Sequence, residues 1–316
     1  MSTIPFFDFH CDSLTKGGYK KLIKNDTMHW SLPRFIQGGG QLQVHAIFTP
    51  PEYKKGDATM FAMKYASEWQ KFLEETNTTG VRSKEDLDEK GPFSILSLED
   101  ASPLAGNIEA LDMFFDLGVR LITLVWSCDN EVGRGVIHGQ GPAITKFGKN
   151  LIRKMNEKNV IVDLSHASDE LFWEAVKTSS KPVVASHSNS RKFRNHPRNL
   201  TDDQIKEISN CDGIIGLVYV PNFVGDPPKG TQDEWDFELK GGAEMLAKHA
   251  AHIAEISKVE TVVLGSDFDG TNSPVIAEVS KTQIMAEELK KVGFSDNDIE
   301  KIFYKNAKKF LLKNLP

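Results

Sequence analysis

Cysteine is scarce: Cys11, Cys128 and Cys211 are the three in 316 residues. A sparse, odd-numbered set excludes a disulfide framework and points to a reducing compartment, the cytoplasm. Long apolar runs are missing too. No stretch approaches the roughly 18 residues that a membrane-spanning helix needs. The opening MSTIPFFDFH has neither the basic start nor the apolar run of a secretory signal. Nor is there a surplus of positive charge. Lys and Arg number 38 against 44 Asp and Glu, a net −6 with a pI near 5.9, which excludes nucleic acid or an anionic membrane as partner. A Gly-rich dinucleotide loop after the first apolar run is also absent, which removes the nucleotide-binding open sheets. What is present is ordinary: 40% hydrophobic and 26% charged residues, the balance of a soluble protein with a sizeable core.

Short apolar, β-branched runs recur at Pro5–His10, Leu42–Phe48, Phe93–Leu98, Arg120–Trp126, Val160–Leu164, Val183–Ser186, Gly213–Val220 and Thr261–Gly265. Amphipathic stretches lie among them at Ala58–Glu75, Asn107–Leu117, Gly148–Lys158, Asp169–Thr178, Asp202–Ser209 and Gly242–Ser257. Alternation of this kind predicts parallel strands with crossover helices. IVDL, VVAS and TVVLG read as continuous apolar runs, as strands buried on both faces do. Eight such units predict an α/β fold of the (β/α)8 TIM-barrel, metal-dependent hydrolase type, one domain over residues 1–316. Ser280–Lys291 and Asp296–Asn314 are its closing C-terminal helices. Lys16 to Gly40 is a long connection rich in Gly, Lys and polar residues, a length that marks function.

Hydrogen-bonding and acidic residues fall at the ends of these runs. His10 and Asp12 close the first, Glu99 the third, His166 the fifth, His187 the sixth and Asp267 the eighth. The C-terminal ends of barrel strands are where barrels build active sites. Singly, each residue has a plainer reading. A lone His after a strand is usually satisfied by packing, and Asp12, Asp163 and Asp267 suit caps or turns. Glu99 with Asp100 suits a solvated turn. Jointly, three histidines and three carboxylates at one mouth are best explained by a shared ligand. Imidazole and carboxylate without thiolate fit Zn²⁺, Mn²⁺, Co²⁺ or Fe²⁺. Five ligands exceed the needs of one catalytic zinc, so two divalent ions sharing a carboxylate are expected. His45 lies mid-strand and reads as core; His29, His138, His249 and His252 read as loop or helix residues. Cys11 alternates away from its neighbours and reads as core.

The blocks HCD, LSLED, VDLSHAS, ASHSNSR with HPRNLTDD, and GSDFDG together resemble the membrane (renal) dipeptidase family of the amidohydrolase superfamily. The similarity runs along almost the whole chain. The resemblance implies a zinc-dependent dipeptidase with two metal ions: His10 and Asp12 on one, His166 and His187 on the other, Glu99 bridging. It implies that Arg198 binds the carboxylate of a small dipeptide substrate, a task suited to a guanidinium fork, and that Asp267 exchanges a proton with the attacking water. A homodimer follows from the family. At one position the chain departs from it. Trp126 stands where the mammalian members carry a histidine after the fourth strand, and Asn130 is assigned the lost hydrogen bond to substrate. The alternatives are another hydrolase of the superfamily, acting on a cyclic amide, lactone or phosphoester, and a non-catalytic barrel that binds a ligand through its metal.

Overall fold

The computed structural model describes residues 3–24, 27–53, 56–137, 139–231 and 237–316. His138 lies outside these residues. Eight parallel strands form the frame: β1 (Phe6–Cys11), β2 (Gly40–Phe48), β3 (Phe93–Glu99), β4 (Val119–Thr123), β5 (Ile161–Asp163), β6 (Val183–Val184), β7 (Ile215–Leu217) and β8 (Val262–Leu264). They pair in the order β6-β5-β4-β3-β2-β1-β8-β7. The last seam is closed by a parallel bridge between Ala185 and Ile215. There Gly216 N–H donates to the Ala185 carbonyl at 2.8 Å and Ala185 N–H to the Ile214 carbonyl at 3.0 Å. The expected (β/α)8 barrel is therefore the fold observed.

Helices follow the strands as the apolar periodicity requires, at Ala58–Glu74, Ala110–Asp116, Lys146–Lys158, Asp169–Thr178, Asp202–Asn210 and Gly242–Ile256. Their starts are written in the sequence. Thr145, Ser168 and Thr201 each accept a backbone N–H from the first turn, and Thr201 completes a capping box with Gln204. The Lys16–Gly40 connection is less irregular than its composition predicts. It begins inside a short helix, Ser13–Gly17, and carries two more, Tyr19–Leu22 and Leu32–Gln37, the last with proline in its first turn. A two-residue strand, Thr79–Gly80, pairs with the start of β3 and is too short to leave a periodic signal.

Strand parity separates two packing layers. Val44, Ile95, Leu121, Ile161, Val184 and Val263 supply one residue from each of six strands to a cluster that Phe310 and Leu311 of the C-terminal helix close from below. Glu99 is four residues beyond Ile95 and Asp163 two beyond Ile161, so each lies on the same strand face and higher up. The apolar floor thus fixes the height at which the polar residues emerge. The other faces pack against the helices around Phe6, Leu98, Ile122 and Leu164. Among the described residues no helix is long and apolar enough to cross a membrane.

Candidate metal centre

His10, Asp12, Glu99, His166, His187 and Asp267 meet at the C-terminal mouth, all of them buried. Glu99 stands at the middle. Its Oε2 lies 3.4 Å from His10 Nε2, while Oε1 lies 3.0 Å from His166 Nε2 and 3.7 Å from His187 Nε2. His166 Nε2 and His187 Nε2 are 3.0 Å apart, and the rings of His10 and His187 stack at 3.7 Å. Asp12 Oδ2 and Asp267 Oδ1 are each 3.8 Å from His10 Nε2. Two sets of potential donor atoms fall within 4.8 Å of one another: those of His10, Glu99 and His187, and those of His10, Asp12 and Asp267.

The plainer readings fail for Asp12 and for Glu99 with Asp100, while Asp163 keeps one. Asp12 occupies the N-cap position of the Ser13–Gly17 helix yet makes no capping bond, and its Oδ1 is buried without a hydrogen-bond partner. Glu99 and Asp100 are buried rather than solvated. Asp163 is a structural residue. It accepts hydrogen bonds from Thr123 Oγ1, Ser165 N–H, and the N–H and Oγ of Ser186.

Backbone conformation shapes the mouth. Asp100, His166, Asp267 and Asp269 all have positive φ, between 62° and 94°, a region that non-glycine residues enter at a cost. Tight turns after β3, β5 and β8 thereby aim side chains inward. Gly270 is required for a different reason: a Cβ there would collide with the carboxylates of both Asp12 and Asp267. The Lys16–Gly40 connection is tied over this edge. Asp269 accepts from Ser13 Oγ at 2.5 Å, His29 N–H at 2.8 Å and Trp30 N–H at 3.2 Å.

Electrostatics divides the cluster. Burial opposes a charge on His10, but Glu99 and Asp12 outweigh it and hold the imidazole well above its usual range. Burial, reinforced by Glu99, raises Asp12 to about 6, and burial with Asp12 beside it raises Asp267 well above the carboxylate range. His166 and His187 are pushed far down, by burial first and then by the positive charges of Arg198 and His10. The donor set suits a divalent cation. Both nitrogens of His10, Asp12 Oδ1 and Glu99 Oε2 are buried without hydrogen-bond partners, and three imidazole Nε2 atoms face carboxylate oxygens. Buried polar atoms left this way cost stability unless an ion or water engages them. Ser186 prepares one of the three. Its hydroxyl proton goes to Asp163 Oδ2 at 2.7 Å, so at 2.7 Å from His187 Nδ1 it accepts, leaving the His187 Nε2 lone pair aimed at the centre.

Above the cluster opens a cavity of about 840 Å³, lined by Asp12, Glu99, Trp126, His166, Arg198 and Asp267 among others. Of the basic residues in the 191–198 loop, Arg191 pairs with Asp169 and Arg194 with Asp226. Arg198 instead is buried, with Nη1 on Ser188 Oγ and Nη2 on the His187 carbonyl, both at 2.7 Å, and Nε without a partner. Burial draws its pKa down to about 10, against the pull of Asp267.

Asn130 requires correction. It does not line the cavity. Its amide hydrogens go to Asp100 Oδ1 and the Leu124 carbonyl, both at 2.9 Å, and its oxygen accepts from Val132 and Gly133 N–H. With both ends used, it braces the turn behind Glu99 rather than meeting substrate. His252 lies on the Gly242–Ile256 helix as expected and meets Asp202 Oδ1 at 2.9 Å, a partner from another helix that spacing along the chain does not reveal. His249 is buried between Ser190 N–H and the Val224 carbonyl, and His45 is buried against Ser94, as packing residues. Ser186 and Gly270 escape sequence reasoning, although each stands beside a candidate in the blocks ASHSNSR and GSDFDG.

A (β/α)8 barrel with buried histidines and carboxylates converging at its C-terminal mouth belongs to the class of metal-dependent barrel hydrolases. Residues 1–313 match the membrane dipeptidase family (peptidase family M19), and the chain is a member of that family. The solved dipeptidase AC, an M19 metallopeptidase, superposes with a TM-score of 0.87 at 26% identity, covering 99% of each chain. A metallopeptidase from Rhodobacter sphaeroides, solved with a phosphinate mimic of the dipeptide L-Ala-D-Ala, gives 0.87 and 26% over 100% of each. An uncharacterised dipeptidase of Schizosaccharomyces pombe is 29% identical over 219 residues, 68% of this chain but 51% of its own length. The match thus spans about half of that relative.

Proposed function

We propose that this chain is a dipeptidase that works with two divalent ions, zinc the expected pair. The observation that carries the reading is the division of Glu99, one oxygen toward His10 and the other toward His166 and His187. That division supports a carboxylate shared by two donor sets, His10 with Asp12 and His166 with His187. Metal ions bound there supply Lewis acidity and a water acidified toward neutrality. The chain's own residues do the rest. Arg198, buried and with a free Nε, is suited to the terminal carboxylate of the substrate, whose charge it meets away from competing water. That contact fixes the distance from carboxylate to scissile bond and so selects short peptides. Asp267, its carboxyl raised well above the ordinary carboxylate range by burial and by Asp12 beside it, is suited to take a proton and pass it to the departing amine. A phosphinate dipeptide mimic bound in the related Rhodobacter sphaeroides barrel supports the same substrate class.

The test is hydrolysis of Ala-Ala by protein stripped of metal and reconstituted with zinc, alongside Arg198→Ala. Wild type should cleave the dipeptide only when reconstituted. Arg198→Ala should raise KM for dipeptides about 10- to 100-fold, the worth of a charged hydrogen-bonded contact, and spare substrates whose carboxylate is amidated. No cleavage by zinc-, manganese- or cobalt-loaded protein would sink the proposal, and equal losses on both substrates would remove Arg198 from it.

A further inference from the structure

The cavity is large for a dipeptide of small residues. At about 840 Å³ it lies high in the range of pockets that take drug-sized ligands, about 300–1,000 Å³. Its extra room is not uniformly lined. Arg198 follows β6, and the Phe223 ring lies 5.5 Å from its guanidinium, so this side belongs to the substrate's carboxylate end. In a closed ring of eight strands, β2 lies four strands from β6 in either direction, directly across the mouth. That opposite wall is aromatic. Phe48 ends β2 and packs on Trp126 at 5.1 Å. Tyr53, Phe61 and Tyr65 follow in the loop and helix after β2, with ring centroids 4.6 Å and 4.9 Å apart in sequence. All five rings line the cavity. Trp126 also lies 6.0 Å from the His166 ring, so the wall begins beside the reacting centre and runs out to the rim. There Tyr53 remains 38% exposed, a large ring held partly in water at the entrance.

A dipeptide anchored by its carboxylate at Arg198, with its peptide bond over Glu99, directs its other residue toward this wall. We infer that the aromatic wall from β2 to β4 is the subsite for the side chain of the amino-terminal residue, and that it selects bulky apolar, above all aromatic, residues there. The inference rests on the dipeptidase reading. Rings already set at stacking distances present edges and faces to an incoming ring without first reorganising, so contact area becomes selectivity.

The experiment measures kcat/KM of metal-reconstituted protein for Phe-Ala, Ala-Ala and Ala-Phe. Phe-Ala should exceed Ala-Ala by about tenfold or more, the scale on which burying a phenyl group discriminates. Phe48→Ala and Tyr53→Ala should each lower the Phe-Ala to Ala-Ala ratio about threefold or more and leave the Ala-Phe to Ala-Ala ratio in place. Tyr53 stands at the rim, so its truncation keeps the test open if loss of Phe48 disturbs folding. A Phe-Ala to Ala-Ala ratio near one, or variants that shift the Ala-Phe ratio instead, would overturn the subsite while the dipeptidase reading stands. No turnover of any of the three would overturn both together.

Discussion

The two halves of the candidate centre are built on the same device and end in different chemistry. On the β1–β8 side, buried Asp8 accepts from Ser266 N–H at 2.8 Å, Ser266 Oγ at 2.6 Å and His10 N–H at 3.2 Å. On the β5–β6 side, buried Asp163 accepts from Ser186 N–H at 2.8 Å, Ser186 Oγ at 2.7 Å and Ser165 N–H at 3.1 Å. In both, a strand aspartate clamps a serine, and the next residue along the chain enters the centre: Asp267 after Ser266, His187 after Ser186, His166 after Ser165. The halves then diverge. The β5–β6 side offers two imidazoles whose charged forms are strongly disfavoured, one of them turned by its own serine. The β1–β8 side gathers two carboxylates around an imidazole with no hydrogen-bond partner at either nitrogen. One half disfavours charge on both imidazoles, and of these His187 is oriented in advance by Ser186. The other gathers acidic groups around His10, which hold that imidazole well above its usual range while burial raises Asp12 and Asp267.

Glu99 joins the halves, so its loss should be the most severe. Glu99→Ala should cut kcat/KM by roughly a thousandfold or more, and metal analysis should show fewer ions per chain than wild type. A variant with full metal content and near-normal rates would mean the halves work without a shared carboxylate. Asp267→Asn keeps the shape and removes the proton site. It should lower kcat by about 10²- to 10⁴-fold with metal content nearly unchanged, the range for loss of general acid–base catalysis. If metal is lost in parallel, Asp267 is a ligand first.

The serine clamps allow a direct contrast. Ser186 touches His187 Nδ1, whereas the Ser266 hydroxyl donates to Asp8 and the His10 carbonyl and accepts from Phe268 N–H, so its partners include no imidazole. Ser186→Ala should weaken metal affinity about 10- to 100-fold, as loss of an orienting partner does. Ser266→Ala should loosen the same kind of clamp with a smaller effect on affinity. Titration of both variants with a competing chelator reads the difference. Equal losses would show that the clamp itself, rather than the orientation of His187, sets affinity.

Most of the barrel was legible because its causes are local. Apolar runs of strand length, caps such as Ser168 and Thr201, and polar residues at strand ends all leave their signal within a few positions. What stayed hidden depends on pairs remote in sequence. Asp8 and Ser266 are 258 residues apart, and Asp163 looks like a cap until Ser186 is beside it. Asn130 shows the same limit. Its position near Trp126 invites a substrate contact, but Asp100, thirty residues earlier, takes its amide. The aromatic wall also arises only when the ends of β2 and β4 meet in space.

His45 tests whether burial alone, without the carboxylates of the centre, explains the contrast among the histidines. It sits on β2, fully buried like His10, with Nδ1 2.9 Å from Ser94 Oγ, which itself accepts from Trp69 Nε1. Burial lowers His45 from 6.5 to about 3, the opposite direction from His10. Between these two values the unfolded chain takes up a proton that the folded chain refuses, so acid favours unfolding by about 1.4 kcal/mol for each pH unit. The penalty starts below pH 6.5 and is complete near pH 3. Denaturant unfolding at pH 6.5 and pH 4.5 should show wild type losing about 2–3 kcal/mol more than His45→Gln over that interval. Equal losses would mean that His45 accepts its proton inside the folded barrel, and that burial by itself does not separate it from His10.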